Sequence, residues 1–395
     1  MQNLESIITL AIDTSCDETS VAVVKGRTIL SSIMPSQMEY HQKFGGVVPS
    51  LAKLAHAERI DNVVNQALKK ANIGMEDINT VSVTYGPGLA IALEIGIKKA
   101  KELAEKYSKP LIAINHMEGH LLSSFARPNS ANAVLIKPEV PALSFLISGG
   151  HTELVYVSKI GEYKKIGETV DDSCGEAYDK CGRILGFGYP AGPVISKLAK
   201  ENRKDFRFKI IKDNLSVKVQ CIGKDGKAYE LPIAMVNSGD LNMSYSGLKT
   251  AFKQLVETIG GEKLNHQKEV DGNNNLTKEE IIHLCVIFEA AAIEQLKFKL
   301  KKALKEYPVK QLWLGGGVIA SARLRSELRN VAKEFNVKTL YPYTKKLTGD
   351  NAAMIGVAAN YKVASIGLEN LKHNLKDRIY FKEFNTLDRS PSLSL

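Results

Sequence analysis

Two stretches of the chain repeat one pattern, and this repeat constrains the fold more than any other feature. Residues 7–13 form an apolar run that ends in a carboxylate, a polar turn follows, and residues 21–24 are apolar again. Residues 143–157 repeat this order around the turn 148–152. Each pattern predicts a β-hairpin. The repeat indicates an internal duplication, with one such unit in each of two lobes.

Strand and helix patterns alternate around these hairpins. Short apolar strands are predicted at 81–83, 112–114 and 311–314. Apolar residues recur at helical spacing in six further segments, which are 51–71, 89–107, 174–185, 246–258, 279–305 and 321–334. Such alternation predicts an α/β fold in which helices cover mixed or parallel sheets. A length of 395 residues also favours more than one domain.

Three segments fall outside this scheme. Residues 203–231 mix charge with short alternation, which predicts an extra hairpin. Residues 260–275 are rich in Gly, Asn and charge, which is typical of a loop. The polar tail after residue 385 is expected to fray.

Charge and cysteine content limit the classes of function. There are 53 basic and 43 acidic residues, a net charge of +10 that favours a polyanionic partner such as nucleic acid. Much of the excess lies on the predicted Lys-rich helix 279–305, where a solvated face is the alternative.

Five scattered cysteines without a C-x-x-C pair favour a reducing compartment. No apolar run suits a membrane span and no secretion signal is visible, so we expect a cytoplasmic protein without membrane attachment.

His116 and His120 are four residues apart at the start of a predicted helix. This spacing places both rings on one helix face, within reach of one metal ion, although two surface histidines are the alternative. A zinc protease of the H-E-x-x-H type needs Glu after the first His, and Met117 stands there. A third ligand is needed, and Asp350 precedes an apolar helix, where it is either a metal ligand or simply the N-cap.

Several polar or glycine-rich turns are candidates for nucleotide contacts. Backbone N–H groups of glycine turns can approach phosphate closely, which makes 149–150, 186–192 and 315–317 candidates, although none matches a known nucleotide fingerprint. Asp17 and Glu18 lie in the first hairpin turn, where they suit a metal-bound phosphate, water or proton transfer, or form a plain polar turn.

Taken in order along the chain, these segments resemble the TsaD family of tRNA threonylcarbamoyladenosine transferases, once described as O-sialoglycoprotein endopeptidases. The matching segments are 13–19, 45–49, 86–89, 116–120, 148–152, 171–180, 189–193, 316–318 and 349–354. The resemblance implies a two-lobed, duplicated actin/hexokinase-like (ASKHA) fold with the active site in the interlobe cleft. Its expected parts are residues 1–138, residues 139–364 with the helix from 350 returning toward the first lobe, and an extension at 365–395.

The resemblance also implies the reaction and its site. The family transfers a threonylcarbamoyl group from L-threonylcarbamoyladenylate to N6 of the adenosine 3′ of the anticodon, in tRNAs that read codons beginning with A, and releases AMP. His116, His120 and Asp350 would bind one metal, Fe2+ or else Zn2+. Substrate contacts are expected from Ser148, Gly149, Gly150, His151, Thr152, Asp179, Gly192, Ser196, Gly316, Gly317 and Ser321. A TsaB-like paralogue and a TsaE-like ATPase are the expected partners beside tRNA.

Some positions depart from the family pattern. Ser321 stands where the family usually has an Asn that contacts the nucleotide, and Ser196 where many relatives have an acid for the ribose. The helix after Gly86, on which TsaB packs in bacterial relatives, carries Ile91, Leu93 and Glu94 in a segment that is usually richer in Gly and small residues. Two other functions stay open: a metal-dependent, kinase-like enzyme of the same superfold, and a non-catalytic scaffold subunit.

Overall fold

The structure is a computed structural model that describes residues 3–35, 49–213, 216–261, 264, 275–371 and 387–395. The motif at 45–49 and the predicted loop at 260–275 lie largely outside these residues. The chain divides into two compact units. Unit 1 comprises Met1–Glu139, Ser158–Tyr163 and Leu340–Leu395, and unit 2 comprises Val140–Val157 and Lys164–Thr339. Residues 340–395, which include the helix from 350 that was expected to return toward the first lobe, group with unit 1.

The strands and helices agree with most of the sequence patterns. The strands are β1 Ile8–Asp13, β2 Ser20–Lys25, β3 Thr28–Ile33, β4 Thr80–Gly86, β5 Leu111–Asn115, β6 Arg127–Pro128, β7 Ala142–Ile147, β8 Thr152–Lys159, β9 Glu162–Glu168, β10 Phe206–Lys212, β11 Val217–Gly223, β12 Ala228–Pro232, β13 Gln311–Gly315 and β14 Lys338–Leu340. Within the described residues the α-helices are α1 Pro49–Ala71, α2 Ala90–Lys106, α3 His116–Leu122, α4 Cys174–Ile184, α5 Gly192–Asn202, α6 Ser246–Gly260, α7 Lys278–Glu306, α8 Ala322–Glu334 and α9 Ala352–Ile366.

The two larger sheets share one topology. In the first, the order is β5-β4-β1-β2-β3-β6, with β1, β2 and β3 antiparallel and β4 parallel to both β1 and β5. In the second, the order is β14-β13-β7-β8-β9, with β7 antiparallel to β8 and parallel to β13. In both sheets, therefore, the first strand of an antiparallel hairpin pairs in parallel with a strand from later in the chain. This confirms the duplication that the two hairpins predicted.

Helix α9 is the apolar centre of unit 1. It packs on β1 and β2, and most of its side chains are fully buried. One of its buried residues, Asn360, is polar. The Asn360 amide donates to the carbonyl oxygens of Val24 (3.3 Å) and Gly26 (2.8 Å), and its oxygen accepts from Thr9 Oγ1 (2.6 Å). These bonds satisfy the buried amide and fix α9 in register against the sheet.

The segment predicted as an extra hairpin is a three-stranded antiparallel sheet. Strands β10, β11 and β12 pair in that order. One face of this sheet packs on α7, where the ring of His283 contacts Phe206 and Tyr229. The period-two alternation of residues 217–221 was visible in sequence, whereas the flanking strands carry more charge, so only part of the sheet was predicted.

The end of the tail is packed, so the prediction that it frays is wrong for residues 387–395. Ser390 N donates to Tyr85 O (2.7 Å), and Gly88 N donates to Pro391 O (3.2 Å). A Cβ at Gly86 would lie 1.9 Å from the Ser390 carbonyl oxygen, which shows how closely the tail covers this turn. These backbone bonds give the polar tail a fixed path. Within the described part of the chain, no helix has both the length and the apolar character needed to cross a membrane.

Candidate functional site

The paired histidines lie on the short helix α3, which follows β5 directly. The side chain of Asn115 accepts a hydrogen bond from Met117 N (2.8 Å) and so caps the helix at the end of the strand. His116 and His120 are both buried, and their rings meet edge to face with centroids 4.7 Å apart. The prediction that this spacing brings both rings together is confirmed.

Asp350 completes this cluster from the start of α9. Its Oδ1 atom lies 3.3 Å from His116 Nε2 and 3.1 Å from His120 Nε2. The N-cap of α9 is Asn351, whose side chain accepts from Met354 N (3.0 Å), so Asp350 is not the cap. The helix start is therefore stabilised by one residue, and the neighbouring carboxylate is left to face the histidines.

The close approach of α3 and α9 depends on Gly119. A Cβ at this position would lie 2.8 Å from Ile355 Cδ1 and 3.0 Å from Met354 Cγ. Since Gly119 stands between the two histidines, a larger residue there would force the side chains of Ile355 and Met354 on α9 to shift. Glu118 is not directed to the cluster, because its Oε1 accepts from the hydroxyl of Tyr163 (2.9 Å).

The charges of the cluster favour a cation. Burial lowers the pKa of His116, but the carboxylates of Asp350 and Asp13 outweigh it and raise this pKa to about 10. Burial lowers the pKa of His120. Although burial alone would raise it, His116 and His120 hold the pKa of Asp350 well below its usual range. The carboxylates therefore attract positive charge strongly, and in the metal-free protein a proton on His116 supplies it.

The donor atoms themselves fit a divalent metal. One atom each from His116, His120 and Asp350 can be chosen so that all lie within 4.8 Å of one another. With Nε2 of both histidines turned to Asp350, their Nδ1 atoms are buried and have no hydrogen-bond partner among the residues that the structure describes. Asp13 Oδ1 lies 3.7 Å from His116 Nδ1, where a carboxylate can orient a metal-ligating imidazole. Two nitrogens and one oxygen suit Fe2+ or Zn2+ and leave coordination positions open.

Asp17 and Glu18 lie in the turn between β1 and β2, half-buried. Burial, together with the charges of Asp17 and Asp350, raises the pKa of Glu18 to about 7. A carboxyl group with this pKa exchanges a proton readily near neutral pH.

In unit 2, the turn 148–152 joins β7 to β8 and is held by its own hydrogen bonds. Ser148 N donates to His151 O (2.8 Å), and His151 N donates to Ser148 Oγ (3.0 Å). Cys174 N donates to Thr152 Oγ1 (2.9 Å), which ties the turn to the start of α4. A Cβ at Gly149 or Gly150 would meet no atom within 4 Å, so the glycine backbone is open to a ligand.

Asp179 on α4 organises the start of α5. Its Oδ1 accepts from Ala191 N (2.8 Å) and Gly192 N (3.1 Å). Burial raises the pKa of Asp179, and the two N–H donors act in the opposite direction. The pair Asp179 and Gly192, which the resemblance implied as substrate contacts, is therefore brought together by the fold.

The glycines after β13 lie against the end of β7. Gly316 has a φ of +93°, and a Cβ there would lie 2.4 Å from Ile147 O, so only glycine fits. Gly317 begins the following 3₁₀ turn. Ser321 is the N-cap of α8 and accepts from Leu324 N (3.3 Å). Its hydroxyl oxygen therefore already has a structural partner.

Ser196 on α5 adjoins a buried ionic group that the sequence patterns did not reveal. Burial raises the pKa of Glu289, which is 1% exposed and lies 3.4 Å from Arg323 Nε, while the Arg323 charge and the Ser196 hydroxyl act in the opposite direction. Glu289 sits inside an apolar stretch of α7, where its pattern is that of a core position. Asp13 was likewise noted only as the end of a strand, because nothing in the sequence places it beside His116.

Comparison with known proteins agrees with the motif order. The family model for TsaD, tRNA N6-adenosine threonylcarbamoyltransferase, matches residues 28–357. The proteins named tRNA N6-adenosine threonylcarbamoyltransferase in Streptococcus pneumoniae strains Hungary19A-6 and D39 are 44% and 42% identical to this chain. These alignments cover 89% of this chain and 90% of the first relative, and 94% of this chain and 97% of the second.

Among solved structures, full-length HypF in a phosphate- and nucleotide-bound form matches with a TM-score of 0.51 and 11% identity. The match covers 90% of this chain and 46% of HypF. At this identity the likeness concerns the fold alone. With the two sheets of equal topology, the α/β fold of the actin/hexokinase-like kind is confirmed.

Proposed function

The chain belongs to the TsaD family of tRNA N6-adenosine threonylcarbamoyltransferases, and from this premise we propose that it forms threonylcarbamoyladenosine in tRNA from L-threonylcarbamoyladenylate. The acceptor is N6 of the adenosine 3′ of the anticodon, in tRNAs that read codons beginning with A. A bond forms between N6 and the carbamoyl carbon, and the bond from that carbon to the phosphate oxygen breaks. AMP leaves with the electron pair, and N6 loses a proton.

The observation that carries this proposal is the convergence of His116, His120 and Asp350 on one point in unit 1. We propose that these three residues hold one divalent metal, Fe2+ or else Zn2+. When bound, such a metal acts as a Lewis acid toward carbamoyl or phosphate oxygens. Asp13 positions the His116 ring, and Asn115 and Asn351 fix the two helix ends that carry the ligands.

The adenylate is assigned to unit 2. The open backbone at Gly149 and Gly150 can approach a phosphate group closely. Asp179 accepts from the backbone N–H groups of Ala191 and Gly192, so the start of α5, where Gly192 is proposed to contact the adenylate, is held in place. Because N6 of adenosine is a weak nucleophile, this fixed placement of both reactants accounts for most of the rate that the enzyme must supply.

Glu18 is the proposed acceptor of the N6 proton. Its pKa of about 7 lies near the working pH, where a general base is most effective. Asp17 contributes to this pKa through its charge and is assigned that supporting role. A Glu18→Gln variant keeps the shape and loses the base, so transfer should slow while metal content stays the same.

The other functions are less compatible with these contacts. A scaffold subunit has no need for three converging donors, and a kinase does not account for the paired histidines. A zinc protease of the H-E-x-x-H type needs Glu directly after the first histidine, where Met117 stands, and the next residue, Glu118, is bonded to Tyr163. We further propose a TsaB-like paralogue and a TsaE-like ATPase as partners, and the cytoplasm as the location, where the five free thiols would stay reduced.

Reconstitution tests this function directly. The protein is incubated with unmodified tRNA, threonine, bicarbonate, ATP and the partner proteins, and modified adenosine is measured by mass spectrometry. His116→Ala with His120→Ala should abolish both modification and the iron or zinc content of anaerobically purified protein. His283→Ala is the matched control, because this buried histidine bonds Cys221 O in unit 2, far in sequence from the donors. Retained activity in the double variant would refute the metal role.

A further inference from the structure

Two exposed tyrosines follow β14 directly. From Leu340 to Tyr343 the side chains alternate between buried and exposed, as in an extended strand, with Pro342 buried between the rings. Tyr341 is 36% exposed and Tyr343 is 47% exposed, although large aromatic rings usually lie inside a protein. Both rings therefore lie on the same, outward side of the chain.

Two exposed lysines follow within three residues. Neither Lys345 nor Lys346 has an acidic partner among the residues that the structure describes. Their position is nevertheless fixed, because Leu347 is buried and Thr348 bonds back to the Lys345 carbonyl through both N (3.2 Å) and Oγ1 (2.8 Å). We call residues 341–346 the Tyr–Lys segment.

The lysines of α7 behave differently. Lys301 lies against Glu334, and Lys297 bridges Glu294 (2.6 Å) and Glu327 (3.1 Å). The Lys-rich helix that contributes much of the positive charge in sequence is thus partly neutralised by pairing. The charge of the Tyr–Lys segment is not neutralised in this way, and it lies close to the metal-binding cluster, since Lys346 precedes Asp350 by four residues.

Exposed aromatic rings next to unpaired lysines match the chemistry of single-stranded RNA. Bases stack on the rings, and the ammonium groups neutralise phosphates. We propose that the Tyr–Lys segment is a docking surface for the unpaired anticodon loop of the tRNA substrate, beside the metal ligand Asp350. This inference rests on the proposed function and adds where the acceptor binds.

The spacing of the rings agrees with this role. Tyr341 and Tyr343 follow the end of β14 and are separated by one buried residue, so each ring can offer an exposed face to one base. Neighbouring unpaired bases can therefore lie against each ring. A paired stem would not offer its base faces to the rings, so the surface should distinguish a loop from a duplex.

The test measures binding of an unmodified anticodon stem-loop RNA to the full-length protein as a function of salt. Tyr343→Ala should weaken binding by about 5- to 150-fold, the range for loss of one base–aromatic stack, whereas Tyr343→Phe should bind like wild type. Lys345→Gln with Lys346→Gln should reduce the slope of log affinity against log salt by about 1.4, since each phosphate contact in a single strand contributes about 0.7.

Lys69→Gln with Lys70→Gln is the matched control. These neighbouring lysines are exposed at the end of α1 in the same unit and have the same total charge. The control should leave the salt slope and the KM for tRNA unchanged. Metal content and melting temperature of every variant show whether the nearby ligand Asp350 is still in place.

The outcomes separate this inference from the proposed function. If wild-type protein modifies tRNA but the Tyr343 and lysine variants keep its KM and salt slope, the docking surface is refuted and the function stands. Equal affinity of wild type for the stem-loop and for a duplex RNA would also refute it. If wild type modifies no tRNA under any of these conditions, the proposed function itself fails.

Discussion

Metal binding at the proposed centre should compete with a proton on His116. In the metal-free protein, burial lowers the pKa of this residue, but Asp350 and Asp13 raise it to about 10. Only the neutral imidazole is a ligand. About three pKa units separate pH 7 from this value, so deprotonation costs about 4 kcal/mol and lowers the apparent metal affinity about 1,000-fold. Between pH 7 and 9 the affinity should rise about tenfold for each pH unit.

Calorimetry can count this proton. Zn2+ is titrated into metal-free protein in two buffers that differ in ionisation enthalpy, and the difference in heat gives the number of protons released. We expect about one at pH 7, because His120 has a lowered pKa and Asp350 is ionised. Asp13→Asn removes one of the charges that raise the pKa of His116. The metal affinity of this variant should therefore stop rising at a lower pH than that of wild type. Zero proton release with a flat affinity from pH 7 to 9 would refute this electrostatic reasoning.

The stability of the metal-free protein should fall as the pH rises, whereas the metal affinity should increase. The folded-state pKa of His116 lies above its usual value of 6.5, so the protonated form stabilises the fold. This contribution to the free energy of unfolding is complete below about pH 6.5 and is lost as the pH rises through about 10. The difference between the two pKa values limits it to about 5 kcal/mol, which includes the interactions of His116 with both carboxylates. Denaturation of metal-free protein at several pH values measures it.

Three other perturbations test the fold around the site. Asn360→Leu removes three buried hydrogen bonds, so local stability in unit 1 should fall by about 2–4 kcal/mol by hydrogen exchange, whereas exposed Asn370→Leu should change it by less than about 0.5 kcal/mol. Gly316→Ala places a Cβ at a positive φ and 2.4 Å from Ile147 O, so we expect the free energy of unfolding to fall by about 1–3 kcal/mol. Adenylate binding, measured by calorimetry, should also weaken, and unchanged binding would contradict the assignment of the adenylate to unit 2. Deletion of residues 387–395 uncovers the turn and helix on which a TsaB-like partner would pack, so it should lower the melting temperature and change partner affinity in a pull-down titration.

Sequence patterns predicted the parts of this protein that depend on local periodicity. The hairpins, most helices and the shared face of His116 and His120 follow from spacing alone. Contacts between distant segments do not, and Asp350 became the third ligand only through the family resemblance. The identity of the α9 cap shows the limit: Asp350 and Asn351 are both good N-caps, and only three-dimensional placement decides which of them faces the histidines.

Other misses have a similar origin. The polar tail carries no apolar pattern, because its contacts are backbone hydrogen bonds that composition does not show. Glu289 looked like an ordinary position of an apolar helix, since its partner Arg323 lies 34 residues away on α8. The outer strands of the three-stranded sheet alternate charge with apolar residues, which weakens their period-two signal.

The discontinuity of unit 1 has a consequence for how the protein is made. Its segments Met1–Glu139 and Leu340–Leu395 are separated in the chain by the whole of unit 2. During synthesis the first strands and the two histidines emerge early, but the buried helix α9 and the ligand Asp350 emerge only after residue 339. Unit 2 can therefore fold on the ribosome while the first segment still lacks its central helix. Until that helix arrives, the apolar residues of β1 and β2 that it covers stay exposed and Asp350 cannot meet His116 and His120, so assembly of this cluster is a late step of folding.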